Sequence, residues 1–369
     1  MLQFDVPHRV ESKQMTDDLG VRPASWRAGR ALRIGVVAFA QLMALDAAAG
    51  PEQSALHPAS VQAAHILSLW NLTLVICAAV FAAVLLATLV ALLRNRRNGD
   101  SPLVAPRPGE RTAARTRNAV IAATAASVVL LVGLVIADVM TDRALSKLPV
   151  ENAVHIEVTG QQWWWQAVYS PEAGQPGFAT ANELHVPVGR PVIVDLKAGD
   201  VIHTFWVPNL HGKKDMLPGI QTTIEFRADK PGTYRGQCAE FCGAEHALMA
   251  MLVVAQSPEQ YAAWRGQQVT SASGPSDALA QRGRRIFEQS SCAGCHTVRG
   301  SSAQGTLGPD LTHLMSRQTI AAGALANTPA DLLQWIRDPQ AVKPGTTMPA
   351  VPLAADDLRA VIAWLGTLQ

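Results

Sequence analysis

The sequence predicts a multi-domain membrane protein: a two-helix transmembrane hairpin, then an all-β sandwich, then a small all-α domain. Three observations predict it. Two long apolar runs without a charge, Ile66 to Leu93 and Ala119 to Ala137, lie in the N-terminal half of the chain. From Ala153 to Ala255 the pattern changes to short segments rich in Val, Ile, Thr and aromatics, broken by Gly, Pro and Asn. Past a break rich in Gly, Ser and Pro, helical periodicity returns and continues to the C-terminus.

A chain of 369 residues is too long for one ordinary domain. Hydrophobic residues at 49% against charged residues at 16% lean towards a membrane protein, with the apolar excess confined to a few segments. A net charge of +2 gives no electrostatic footprint for nucleic acid, which is excluded as a partner.

Residues 1–50 read as a signal-like segment. An arginine-rich stretch is followed by the short apolar run Ile34 to Leu45 and by Ala47-Ala48-Ala49, with Met15 an alternative start. That apolar run is too short to span a bilayer comfortably. Residues 60–142 are expected to form the hairpin. Ile66 to Leu93 is long enough to cross a hydrocarbon core of about 30 Å at 1.5 Å per residue, and Ala119 to Ala137 is near the minimum. Between them lie Arg94, Arg96, Arg97, Arg107, Arg111, Arg115 and Arg117, opposed by Asp100 and Glu110. Positive charge stays inside, so this loop is expected in the cytoplasm and both hairpin ends face outward. Cys77, within the first run, is expected to be a buried small hydrophobe.

Residues 150–265 hold strand-like segments such as His155-Ile156-Glu157-Val158 and Pro191-Val192-Ile193-Val194, read as an antiparallel sandwich or barrel. Residues 266–276 are expected to be a flexible linker. Residues 277–369 carry helical patterns at Ala278 to Gln289, Pro329 to Asp338 and Ala355 to Leu368. Leu358, Val361, Ile362 and Leu365 share one face of the last.

Four of the five cysteines fall in two close pairs, which suits metal or cofactor attachment better than a disulfide framework. The first pair stands in Cys238-Ala-Glu240-Phe-Cys242-Gly-Ala-Glu-His246-Ala-Leu-Met249, and His203 lies upstream in Val201-Ile-His203-Thr-Phe-Trp206. Two thiols, two imidazoles and a thioether form a soft set that favours copper. Zinc would take the two Cys and two His as a closed tetrahedron and leave the Met unused. The second pair, Cys292-Ala-Gly-Cys295-His296, is the attachment sequence of c-type haem, in which two thiols bond the porphyrin and the adjacent His ligates iron. Met348, roughly 50 residues downstream, is the candidate distal ligand, and Met315 is its rival. His155, His185, His211 and His313 are read as surface or packing residues.

The first motif resembles the cytochrome c oxidase subunit II family, and with the haem motif following it the order resembles caa-type oxidases. The resemblance covers about Ser54 to the C-terminus. It implies a cupredoxin-like sandwich and a class I cytochrome c domain. It implies a binuclear CuA centre with Cys238 and Cys242 as bridging thiolates, His203 and His246 as one imidazole per copper, Met249 as a weak ligand and the Glu240 carbonyl as another. The Glu240 carboxylate would face subunit I and share an interfacial magnesium. In Gly160-Gln-Gln-Trp163-Trp164-Trp165, Trp163 resembles the residue through which electrons enter, while any of these rings could instead fill the core. Lys214-Asp215-Met216-Leu217-Pro218-Gly219 resembles a structural loop of the family, and Gly308-Pro309-Asp310-Leu311 the loop whose proline carbonyl orients the haem His.

The family's Glu-x-x-x-Trp-Thr pattern at the second span is replaced by Arg115-Thr-Arg117-Asn-Ala-Val, which leaves the proton-uptake carboxylate unassigned; Glu110 is a weak substitute. The lipoprotein cysteine of some relatives is replaced by Asp46-Ala-Ala-Ala. The function implied is electron transfer from a donor, cytochrome c or a quinol-oxidising complex, through haem c and CuA to subunit I, where dioxygen is reduced and protons are translocated. Subunits I and III and the lipid bilayer are the expected partners, at a bacterial inner (plasma) membrane with the soluble domains on the periplasmic face. The alternative is a membrane-anchored electron carrier without an oxidase partner.

Overall fold

The computed structural model describes residues 53–97, 109–146 and 148–369. The signal-like segment and most of the arginine-rich loop lie outside the described residues. Helix α1, Val61–Arg97, and helix α2, Glu110–Leu145, are each long and apolar enough to cross a membrane, with none of their apolar windows buried. They meet where Leu69 and Thr73 face Leu134, Val135 and Asp138. Cys77, expected to be buried, is exposed: among the described residues one helix lies beside α1, which leaves most of it without protein cover.

The strands that follow are β1 (Val154–Gln161), β2 (Trp164–Tyr169), β3 (Phe178–Ala181), β4 (Glu183–Pro187), β5 (Val192–Ala198), β6 (His203–Phe205), β7 (Lys214–Met216), β8 (Thr222–Phe226), β9 (Gly232–Gln237) and β10 (Ala250–Gln256). They form one sheet of order β3-β2-β1-β5-β8 and a second of order β4-β10-β9, with β6 and β7 as a separate ribbon. Alternation places Val154, Ile156 and Val158 of β1 and Val192, Val194 and Leu196 of β5 inward, as a pleated strand requires. Leu184, Val186, Tyr234 and Val253 fill the core from the other sheet, around Trp165, Tyr169 and Phe205. The Tyr169 hydroxyl ties the sheets together, donating to the His185 carbonyl at 2.9 Å and accepting its amide at 2.8 Å.

The pairing is not wholly antiparallel: β1 runs parallel to β5 and β4 parallel to β10. Each of these pairs is separated by other strands in the sequence, so the chain returns in the same direction after an excursion. The head of α1 is joined to this sandwich. The Ala59 amide donates to Asn209 O and its carbonyl accepts from the Asp229 amide, both at 2.8 Å; Ser60 bridges to Ala228 and its hydroxyl bonds Leu210 O.

Helix α3, Pro258–Gln268, begins with a capping box: Ser257 accepts from the Gln260 amide, and the Gln260 side chain accepts from the Ser257 amide. It carries the chain through Gly266 to Gln268, so the linker expected from residue 266 begins at the end of this helix. What remains is tied down. The Ala272 amide donates to Arg299 O at 2.9 Å, and buried His313 places Nε2 3.1 Å from Thr270 O.

The last domain contains α4 (Ala278–Gln289), α5 (Cys292–Cys295), a ribbon of β11 (Thr319–Ile320) and β12 (Leu325–Ala326), α6 (Pro329–Arg337), α7 (Pro339–Val342) and α8 (Ala355–Leu365). Asp277 caps α4 by accepting from the Ala280 amide, and Thr328 caps α6 through the Asp331 amide. Helices α4 and α8 cross with backbones in close approach, since a Cβ at Gly283 would lie 1.8 Å from Ala360 O. Beside this crossing Phe287 meets Trp364 edge to face at 4.8 Å.

Candidate metal and haem centres

His203 opens β6, Cys238 follows β9, and Cys242, His246 and Met249 lie on the loop that leads into β10. The folding of three strand ends to one edge of the sandwich brings together residues 35 positions apart in sequence. Cys238 Sγ lies 3.8 Å from Cys242 Sγ and 3.8 Å from His203 Nδ1. Cys242 Sγ lies 3.7 Å from His246 Nδ1 and 3.9 Å from Met249 Sδ. The Glu240 carbonyl is 3.2 Å from Cys238 Sγ. Each sulfur thus has an imidazole beside it, and the two sulfurs face each other.

Both cysteines and His203 are buried, and their three donor atoms lie within 4.8 Å of one another. The Cys242 thiol hydrogen-bonds the Cys238 sulfur and holds its pKa far below the usual thiol range, with help from His203. Burial works against a charge on His203, but the Cys238 and Asp200 hydrogen bonds on its two nitrogens outweigh it and raise the pKa. The same hydrogen bond, with burial, pushes the Cys242 thiol up, so the pair shares one proton and presents one thiolate, on Cys238, to a cation. The donor set suits a soft metal, and the methionine sulfur beside Cys242 fits copper rather than a closed zinc tetrahedron.

Asp200 escaped the sequence reading. Its carboxylate lies 2.8 Å from His203 Nε2, turning Nδ1 towards the sulfurs, and it accepts the Gln162 amide at 2.6 Å. An Asp three residues before the candidate ligand His203 was the available signal. Gly160 is needed behind the same ring, because a Cβ there would lie 2.8 Å from His203 Cδ2.

Of the three tryptophans, Trp165 fills the core and Trp163 lies beside the metal loop, half-buried. Trp163 Nε1 donates to the Cys242 carbonyl at 3.0 Å, and Gln162 Nε2 donates to the same oxygen at 2.7 Å. Gly243, at φ +116°, lets the indole approach, with its missing Cβ 3.0 Å from Trp163 Cζ2. Glu240 and Phe241 are exposed at the tip of the loop, and the Glu240 carboxylate accepts the Phe241 amide at 3.1 Å.

In the helical domain, Cys292 and Cys295 stand one turn apart on α5 as unbridged, half-buried thiols, and His296 follows at its end. His296 Nδ1 lies 2.8 Å from Pro309 O, which leaves Nε2 as the ring's ligand atom. Burial lowers the His296 pKa, favouring the neutral imidazole that iron requires. Gly308 lies against the ring, with a Cβ there 2.6 Å from His296 Cε1. Cys292, Ala293, Leu311, Met315, Leu333, Trp335 and Met348 are partly buried apolar residues on the helical core. A half-covered apolar lining, two thiols and an oriented imidazole fit a covalently held porphyrin. Met348 lies in the loop after α7. Met315 is tied in place by its amide, which donates to Leu368 O at 2.8 Å.

His185 is buried, stacked on Trp264 at 4.2 Å with its Nε2 3.0 Å from Glu183; His155 is exposed.

A membrane-anchored cupredoxin-type sandwich with a cytochrome module behind it defines a class of electron-transfer protein. Residues 171–256 match the family model described as cytochrome c oxidase subunit II, periplasmic domain, and residues 280–369 match the cytochrome c model. The cytochrome c oxidase subunit 2 of Alkalihalophilus pseudofirmus is 43% identical over 220 residues, which cover 59% of this chain and 62% of that protein. That of Bacillus sp. strain PS3 is 32% identical over 266 residues, 67% of this chain and 73% of that protein. The solved periplasmic domain of subunit II of cytochrome oxidase (CoxB) of Bradyrhizobium japonicum is 30% identical, covering 32% of this chain and 96% of that one, with a TM-score of 0.30. The chain belongs to the cytochrome c oxidase subunit II family and carries a cytochrome c domain in the same polypeptide. Membership implies copper in the first module and haem in the second.

Proposed function

We propose that this chain is the electron-accepting subunit of a cytochrome c oxidase in a bacterial inner (plasma) membrane, with both soluble modules on the periplasmic side. It takes electrons from cytochrome c or a quinol-oxidising complex and delivers them to subunit I, which reduces dioxygen to water with proton translocation. The observation that carries this reading is the convergence of His203, Cys238, Cys242, His246 and Met249, each donor atom within 3.9 Å of a neighbouring sulfur, in a chain that also bears Cys292, Cys295 and His296.

When bound, a binuclear copper pair and a c-type haem supply one-electron carriers whose ligands move little on transfer. The residues do the rest. Cys238, Cys242, His203 and His246 would hold the copper pair, with Met249 and the Glu240 carbonyl as its weaker ligands. Asp200 fixes the His203 ring. Cys292 and Cys295 would bond the porphyrin, His296, oriented by Pro309, would ligate its iron, and Met348 would supply a thioether sulfur as the other iron ligand. Trp163 lies where electrons reach the copper loop, and the exposed Glu240 carboxylate offers a hard oxygen for magnesium shared with subunit I. Holding both modules in one chain replaces a bimolecular encounter with an intramolecular one.

The test is metal and haem analysis of the purified chain with optical and EPR spectra. Two coppers sharing one unpaired electron and one covalent haem are expected; one zinc, or free Cys292 and Cys295 thiols, would overturn the reading. Co-purification with a large haem-bearing membrane subunit separates an oxidase subunit from an anchored carrier that works alone.

A further inference from the structure

The cytochrome module rests on the metal loop itself. A Cβ at Gly323, which has φ +81°, would lie 3.0 Å from Ala250 Cβ, directly after Met249, and one at Gly345 would lie 3.4 Å from Ala244 Cβ, two residues before His246. The Gln318 amide donates to Glu183 Oε2 at 2.8 Å. Between these packing contacts lies one ion pair: Lys343 Nζ is 3.6 Å from Glu245 Oε2 and donates to the Trp163 carbonyl at 2.9 Å. Lys343 is 3% exposed and Glu245 1%, so both charges have left water.

Neither residue is accounted for by copper or haem ligation. A lysine is almost never this buried unless paired. A fully desolvated pair adds little net stability, but removing one partner leaves the other uncompensated, so its best-attested use is to fix register. The direction of this pair suits that use. Lys343 stands five residues before Met348; it grips the main chain of Trp163, whose indole in turn grips the Cys242 carbonyl. Lys343, Trp163 and Cys242 form a continuous string from the Met348 loop to the main chain of the metal loop.

We propose that Lys343 is a positioning residue, its ammonium fixing the register of the cytochrome module on the Trp163–Cys242 edge of the metal loop with Glu245 as counter-charge. It holds the Met348 loop in one arrangement for transfer between the two centres. This rests on the two-centre reading above.

The experiment uses the full chain with both cofactors, as wild type, Lys343→Met, Lys343→Arg and the double variant Lys343→Met/Glu245→Gln. The double variant leaves no unpaired buried carboxylate and so guards against simple failure to fold. Hydrogen exchange is followed across Gln162–Gln166 and Ala341–Thr346, and the rate of haem-to-copper electron equilibration is measured after photoreduction. In Lys343→Met and in the double variant, both segments should exchange faster and equilibration should slow on the order of tenfold. The haem optical spectrum and copper EPR signal should stay as in wild type, and Lys343→Arg should restore part of the loss. If both Met variants keep wild-type exchange and wild-type equilibration, Lys343 does not position the module. Loss of the copper or haem signal already in the wild type would instead sink the two-centre reading.

Discussion

Trp163 Nε1 and the Cys242 carbonyl are joined by a hydrogen bond of 3.0 Å, which links the indole to the main chain of a proposed copper ligand. Gln162 Nε2 reaches the same oxygen, so removing one donor leaves the other. Trp163→Phe is therefore expected to keep copper bound while slowing reduction of the copper centre by an outside donor. Copper content and the EPR signal check the first half, and stopped-flow reduction the second. Loss of copper in this variant would show that Trp163 holds the loop together rather than serving transfer.

Behind His203 the space is full. Gly160→Ala would bring a methyl group to 2.8 Å from Cδ2 and 2.9 Å from Cγ of the ring, which is itself tied to Asp200. The ring must shift away from the sulfurs, so copper occupancy should fall sharply while the sandwich stays folded. Metal analysis alongside circular dichroism reads both.

In the cytochrome module the corresponding weak point is the α4–α8 crossing. Gly283→Ala would place Cβ 1.8 Å from Ala360 O, a main-chain atom that cannot step aside. Overpacking of this kind costs about 1–3 kcal/mol or more, and thermal unfolding of the haem-loaded chain should show it as a lower midpoint for the cytochrome transition. Trp364→Ala, which empties the contact with Phe287, should cost about 3–5 kcal/mol by the same assay.

Burial pushes the Lys343 amine down from 10.5 to about 8, against the pull of Glu245. The buried amine binds its proton less tightly than the exposed one, so below pH 8 the charged form opposes burial in full. As pH rises from about 8 towards 10.5 the folded chain holds fewer protons than the unfolded one, and that opposition fades. Stability should therefore rise across this window relative to Lys343→Met, whose slope lacks this contribution. Denaturant titrations of both proteins at several pH values measure the difference; parallel curves would refute it.

What could be read in advance was what is local. Cys292, Cys295 and His296 sit within one turn, and Cys238, Cys242, His246 and Met249 within one loop, so their spacing carries their chemistry. Helix α4 begins and ends where its periodicity suggests because Asp277 caps it. Helix α8 stops at Leu365, before the expected Leu368, with Gly366 as its cap. The linker starts three residues later than expected because Ser257 and Pro258 start a helix that tolerates Gly266. Lys343 and Trp163 are 180 residues apart, and neither shows any periodic or motif signal of the other. The parallel pairing of β1 with β5 was hidden for a similar reason, since alternation reveals which face a residue takes but not which way its neighbour runs.

Ala59 and Ser60, bonded into the sandwich, are followed at once by the 37 residues of α1, about 55 Å of continuous helix. That is far longer than the hydrocarbon thickness. With no loop between them, helix and sandwich are continuous, so any tilt of the helix in a bilayer would carry the sandwich with it. A flexible insertion between Ser60 and Val61 would uncouple the two while leaving the candidate ligands in place.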